Sequence, residues 1–314
     1  MNPFLTTFEA VAALLGIGII GFYIVRRRML PEKVLGLLSP LALDIALPSL
    51  VFANIVTGFS PASQPQWWQL PLWWLGFTAL AFVFTLALLP LTEQSIRREF
   101  AVTLFYNNAI FFPLAIVTGL FGGQSPLLVS IFLFTIFYPA FFFSTWPFFF
   151  GERRGIAWRK VVHPVLIATV AAVVIRLAGW HVYVPSFVVS MLELLGGMTV
   201  PLLLIILGGS IYIDFTGARS FNMPQVTLFV VAKNLLLPLL FLAVIYIVRP
   251  PADIGFLLLL EAAVPPVTAI PAVTQRAGGD RAAVAQFVVG SFVASLLTIP
   301  AMVYLYSLFF PLPA

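Results

Sequence analysis

The 314 residues include no cysteine. Disulfides and thiolate metal sites are therefore excluded, and thiols say nothing about the redox compartment. Charge is scarce: Asp, Glu, Lys and Arg make up 9% of the chain, and there are two histidines. No His/Glu cluster has metal-enzyme spacing, no G-x-S-x-G occurs, and there is no glycine-rich phosphate loop. Long polar stretches are missing as well, so no extramembrane domain is expected. Nor is a cleavable signal: Arg26, Arg27 and Arg28 follow the first apolar run instead of preceding it.

What the chain does have is apolar length. Hydrophobic residues make up 61% of it, and the mean hydropathy is +1.09. This composition indicates an all-α polytopic membrane protein. A membrane β-barrel would alternate more weakly. The net charge of +5 is no sign of a nucleic-acid partner, because the basic residues sit in loops between apolar runs.

Ten spans of about 20 residues suit a bilayer core, at roughly 5–25, 34–56, 68–90, 100–120, 127–149, 161–179, 186–212, 225–248, 254–275 and 283–309. Arg26–Arg28, Lys33, Arg97, Arg98, Arg153, Arg154, Arg159, Lys160, Arg219, Arg276 and Arg281 fall in alternate loops. The other loops contribute only Arg249. The asymmetry puts the first set in the cytoplasm and both termini outside the cytoplasmic membrane. Trp67, Trp68, Trp73 and Trp74 crowd the outer end of span three and read as interfacial anchors.

The stretch LEAAVPPVTAIPAVTQ, Leu260 to Gln275, organises the rest. It lies in a membrane-length apolar run, yet holds Pro265, Pro266 and Pro271, with Glu261 one turn before them. Proline removes a donor and clashes with the preceding turn, so a continuous helix is not expected. Freed carbonyls and a carboxylate are tolerated in hydrocarbon only where protein, water or an ion satisfies them. Span four, FYNNAIFFPLAIVTGLFGG, is interrupted too, by Asn107, Asn108 and Pro113. A shift of about 153 residues lays Pro48 on Pro201, Pro113 on Pro266 and Asn108 on Glu261, as an internal repeat would. Five spans per half is odd, so the halves 1–153 and 154–314 must run in opposite directions: a five-plus-five inverted repeat.

Single residues carry the candidate chemistry. Glu261 coordinates Na⁺ or carries a coupling proton, unless it is a structural ion pair with Lys233. Asn107 and Asn108 offer oxygens to a cation and amides to a carboxylate; interhelical hydrogen bonding is the alternative. Half-helix N-termini near Pro113, Pro265 and Pro266 suit an anion, and the C-terminal carbonyls suit a cation. Thr268 adds a hydroxyl. Lys233 either neutralises a substrate carboxylate or snorkels to the cytoplasmic face. Asp44, one turn before Pro48, is a gate, a proton site or a scaffold hydrogen-bonding group. Glu9, Glu193 and Arg176 lie nearer outer ends, and His163 is interfacial.

The stretches RRRMLPEKVLGLLSPLALDIALPSLVFANIV, FYNNAIFFPLAIVTGLFG, KNLLLPLL and LEAAVPPVTAIPAVTQRAGGD together resemble the auxin efflux carrier family in its short-loop prokaryotic form. The resemblance covers nearly the whole chain. It implies a ten-helix inverted fold similar to bile-acid sodium symporters and sodium/proton antiporters, with spans four and nine crossing at the site. Spans one, two, six and seven would form a scaffold, against which spans three to five and eight to ten move as an elevator. It further implies small carboxylate substrates and a homodimer through scaffold helices. The sodium symporters place a glutamate and an asparagine around Na⁺ where Glu261 and Asn108 stand. Pro265 departs from their glutamine, which puts a second sodium site in doubt.

The expectation is a secondary transporter of a small organic anion, coupled to Na⁺ or H⁺. No cofactor is expected beyond a bound Na⁺. A membrane-embedded enzyme would need clustered acids or histidines, and a passive channel polar faces along several helices.

Overall fold

The computed structural model of the chain describes residues 3–62, 64–123, 125–151, 163–217 and 222–313. Arg153, Arg154, Arg159, Lys160 and Arg219 of the orientation argument lie outside the described residues. Every regular element among the described residues is helical. The helices are α1 (Pro3–Arg26), α2 (Glu32–Pro40), α3 (Leu47–Gly58), α4 (Leu70–Leu88), α5 (Arg97–Phe105), α6 (Phe111–Phe121), α7 (Pro126–Phe134) and α8 (Tyr138–Thr145). They continue with α9 (Pro164–Leu177), α10 (Ser186–Gly197), α11 (Thr199–Gly217), α12 (Met223–Val231), α13 (Leu237–Val248), α14 (Ala252–Ala263), α15 (Ile270–Arg276) and α16 (Arg281–Phe309).

Among the described residues, seven helical stretches are long and apolar enough to cross a membrane: Pro3–Arg26, Lys33–Gly58, Trp67–Leu91, Pro126–Phe150, Ser186–Ile213, Met223–Val248 and Arg281–Phe309. Of the ten expected spans, the sixth falls on the shorter α9. The fourth falls on α5 and α6, and the ninth on α14 and α15.

Proline explains much of this segmentation. Pro71, Pro126, Pro139, Pro164, Pro224 and Pro271 stand in the first turn of a helix, where no backbone donor is needed. Pro48 and Pro238 instead follow a helical turn directly and widen it. The missing N–H of Pro48 frees the carbonyl four residues back, at Asp44, and residues Leu41–Ala46 form a π-turn. Pro238 does the same to Asn234, inside the π-turn Ala232–Leu236. Each π-turn thus carries polar residues in an otherwise apolar run.

Side chains are buried without interruption along Glu99–Phe105, Leu127–Phe134 and Ile254–Ala263. Helices apolar on every side must be wrapped by others, and α5, α7 and α14 are the wrapped ones. Large apolar side chains such as Ile19, Leu72, Leu194 and Ile247 face outward, as lipid permits. Trp74 is buried edge-on against Phe141 and Trp67 packs on Phe59, so of the expected anchors these two are packing residues, while Trp68 is exposed.

Elsewhere α3 packs against α9 and α10, and α1 against α11 and α16. Arg176 donates from Nε to the carbonyl of Phe59, capping the C-terminus of α3. The α1–α11 contact needs glycine: a Cβ on Gly208 would strike the carbonyl of Gly18, and one on Gly21 the backbone of Ile205. Gly208→Val should therefore cost about 1–3 kcal/mol or more by overpacking. Thermal unfolding in detergent checks this, with Gly197→Val as the control, since a Cβ there meets nothing within 4 Å.

Candidate functional site

The two interrupted segments meet. The break after α14 follows from local chemistry. A residue before proline is pushed out of the helical region, and Val264 is extended with ψ 149° ahead of Pro265 and Pro266. The break after α5 has no such cause, because Pro113 sits harmlessly in the first turn of α6. Tyr106 nonetheless leaves the helix with ψ 111°. Pairing explains it. Asn108 N donates to Pro265 O at 2.8 Å, and Val267 N donates to Tyr106 O at 3.1 Å, so Asn107 and Pro266 form a lone antiparallel bridge. Each break supplies the partners that the other break's backbone needs. Two helix C-termini, of α5 and α14, and two N-termini, of α6 and α15, therefore lie around one pairing.

Asn107 ties the bridge to the acid. Its Nδ2 donates to the Glu261 carbonyl at 3.1 Å and to Glu261 Oε2. The carbonyl of Asn107 accepts from Ala109 N at 2.9 Å and from the Tyr138 hydroxyl at 2.5 Å. The Tyr106 hydroxyl pairs with Thr145 Oγ1 at 2.6 Å. At the far end of α5, Glu99 Oε1 accepts from Asp280 N at 2.9 Å, holding the Gly-Gly-Asp turn after α15. The same two segments are thus joined a second time, at their basic ends.

The cluster also holds polar atoms without protein partners. Glu261 Oε1, Asn108 Oδ1 and Lys233 Nζ are buried and make no hydrogen bond. Glu261 is 1% exposed and Lys233 is fully buried. An unsatisfied buried polar atom costs about 1–3 kcal/mol, more when charged, so three of them call for an occupant. Lone oxygens suit a cation or a proton, and an ammonium suits a carboxylate. Lys233 and Glu261 feel each other's charge, yet no ion pair within 4.0 Å joins them. Lys233 does not snorkel. Its neighbour Asn234 is engaged, donating to Ser291 O at 3.0 Å and accepting from Ser291 Oγ at 2.7 Å, which pins the π-turn to α16.

Glu261, Asn107, Asn108, Pro265 and Pro266 are thus brought together, with Lys233 beside them. Thr268 is half-buried just past the bridge, and Pro113 is buried in α6. Asp44 stands apart: it is exposed in its own π-turn, with Oδ1 3.8 Å from His163 Nε2. Helix ends also register the repeats differently from the proline offset. Phe105 and Phe111 correspond to Ala263 and Ile270, so Thr103, not Asn108, falls on Glu261. Tyr138 and Glu99 went unread. A tyrosine or an acid inside apolar runs was the available signal for them.

Paired interruptions inside an apolar helical bundle, closed over an acid, an amine and two amides, define a multi-pass membrane protein with an enclosed polar site. The chain belongs to the auxin efflux carrier family: the family model described as Membrane transport protein matches it twice, over residues 6–155 and 153–303. Two repeats therefore make up nearly the whole chain, and the family is one of membrane transporters, not of enzymes. No curated protein matches it.

Proposed function

We propose that the protein is a secondary active transporter of a small organic anion, a carboxylate, across the cytoplasmic membrane, coupled to Na⁺ or H⁺. The observation that carries this reading is the Asn107–Pro266 pairing, with Glu261 held to it by the Asn107 side chain. On this reading α5 with α6, and α14 with α15, are two broken spans that cross inside the bilayer and bring the count to ten. The two halves, 1–153 and 154–314, are inverted relative to each other, and both termini lie outside. Lys233 and the Asn108 amide receive the carboxylate, while Asn107 holds Glu261 beside it; Thr268 lies at the rim. Glu261 takes the coupling cation.

Movement follows as an elevator. Packing of α1 on α11 and of α3 on α9 and α10 supports a scaffold of spans one, two, six and seven. The remaining spans carry the site past it, and a homodimer forms through the scaffold. The runner-up is a bile-acid-type sodium symporter, which the lone oxygens of Glu261 and Asn108 favour. Against it stands Lys233, an amine close enough to compete for the same carboxylate.

Right-side-out vesicles test the proposal with a panel of labelled small carboxylates under imposed Na⁺ or H⁺ gradients. At least one carboxylate should accumulate or be expelled in response to one gradient, and a response to H⁺ alone would exclude the sodium-symporter reading. Indifference of every carboxylate flux to both gradients would overturn the coupling.

A further inference from the structure

A second polar feature lies outside the crossing. Between α4 and α5 the chain turns sharply, and Arg97 and Arg98 open the first turn of α5. No side chain caps this helix start, so its N–H groups add a partial positive charge to the two guanidinium groups. The neighbouring acids are committed elsewhere. Glu93 accepts from Asn222 Nδ2 at 3.1 Å on both oxygens, and Glu99 accepts from Asp280 N. Arg97 reaches only the Thr92 carbonyl, at 3.3 Å from Nη2, and its Nε is buried without a partner. Among the described residues, neither arginine has a carboxylate within ion-pair distance.

Beside these arginines is a cavity of about 600 Å³. Its walls are largely apolar, with Phe82 and Leu86 from α4, Ala101 from α5, and Phe149 from the turn after α8, and Thr85 and Gln94 also line it. Phe82 is 41% exposed and Leu86 48%, so the cavity opens sideways, onto the face that hydrocarbon covers. One end is doubly cationic and the rest is mostly apolar and open to the bilayer. That is the complement of an amphiphile with an anionic head at the membrane surface.

We propose that this cavity binds one anionic phospholipid, with its phosphate on Arg97 and Arg98 and an acyl chain along Phe82 and Leu86. A free anion would have no use for the apolar walls, and a zwitterionic lipid would bring its own cation against two arginines. The site lies at the start of α5, whose other end is the paired break. A lipid seated there steadies the half-helix that carries Tyr106 and Asn107 to the crossing.

Native mass spectrometry and thermal unfolding of the delipidated full-length protein test this. The probes are phosphatidylglycerol, phosphatidylcholine, and glycerol 3-phosphate as the head group alone. Phosphatidylglycerol should bind one per chain and raise Tm, and the other two should not. The double variant R97Q/R98Q should weaken phosphatidylglycerol binding about tenfold or more while keeping the Tm measured in phosphatidylcholine. Leu86→Trp, which narrows the cavity from its lipid-facing side, should weaken it with both arginines intact. This second variant carries the test if R97Q/R98Q fails to fold. Wild-type phosphatidylglycerol affinity in whichever variant folds would overturn the proposal, as would equal binding of phosphatidylcholine. Glycerol 3-phosphate binding as tightly as the whole lipid would reduce the feature to an anion site and overturn it too.

Discussion

Glu261→Gln should leave carboxylate exchange measurable but abolish its response to an imposed cation gradient. A gradient drives transport only if the ion binds the loaded and empty forms differently, and Glu261 is the only acid among the paired breaks. Glutamine keeps an oxygen able to accept from Asn107 Nδ2, so the crossing should survive. The removable part is the charge, or the proton, on the carboxyl. Accumulation against a gradient should fall to about unity, because coupling free energy is then absent. Counterflow between equal pools, which needs no coupling, should persist. The same substitution strips Lys233 of its neighbouring acid. A double-mutant cycle of Glu261→Gln with Lys233→Met should show a coupling energy of about 0.5–3 kcal/mol in thermal unfolding. Wild-type accumulation in Glu261→Gln would remove the carboxyl from the coupling step.

The adjacent asparagines should separate cleanly. Asn107 is spent on structure: its side chain holds Glu261, and its carbonyl takes Ala109 N and the Tyr138 hydroxyl. Asn107→Ala should lower stability by about 1–3 kcal/mol, since it leaves a buried carboxyl oxygen without its donor. Asn108 is different. Its backbone N–H pairs with Pro265, which alanine preserves, while its side-chain Oδ1 has no protein partner. Asn108→Ala should unfold at the wild-type temperature yet lose about tenfold or more in apparent substrate or ion affinity, the weight of one to two buried hydrogen bonds. Saturation kinetics in proteoliposomes beside thermal unfolding in detergent reads both. Equal effects of the two alanines on stability and transport would merge the roles assigned here.

Much of this architecture is written in proline and glutamate. Pro265 and Pro266 dictate their own break, because two successive prolines remove two donors and disfavour the helical region for Val264 and Pro265, and an acid one turn earlier marks it as polar. The opposite break is not locally encoded. Tyr106 to Ile110 would continue a helix well enough, and only pairing with residues 265–267 pulls them straight, a contact from the far half of the chain. Lys233 was ambiguous because depth depends on packing: the π-turn before Pro238 turns it inward, and no pattern in an apolar run reveals that. Asp44 was ambiguous for the same reason in reverse, since its π-turn leaves it exposed beside His163. Which helices are wrapped and which face lipid was also illegible. Both lipid and protein interior accept the same side chains, so α1, with five buried residues in 24, and α7, buried from Leu127 to Phe134, read alike in sequence. The repeat offset drifted because loops between the spans differ in length, which moved Asn108 onto Glu261 on paper while the helix ends put Thr103 there.

The most direct test uses the absence of cysteine. In a bridge of the kind joining Asn107 and Pro266, the paired Cα atoms lie about 4.5 Å apart, within the range a disulfide spans. Asn107→Cys with Pro266→Cys would place the chain's only two thiols there. Mild oxidation in membranes should close them into one intramolecular disulfide, read as loss of maleimide labelling that dithiothreitol restores. Two thiols that stay free under oxidation, each labelled independently from the lipid phase, would mean that the breaks do not meet and that no shared site lies between them.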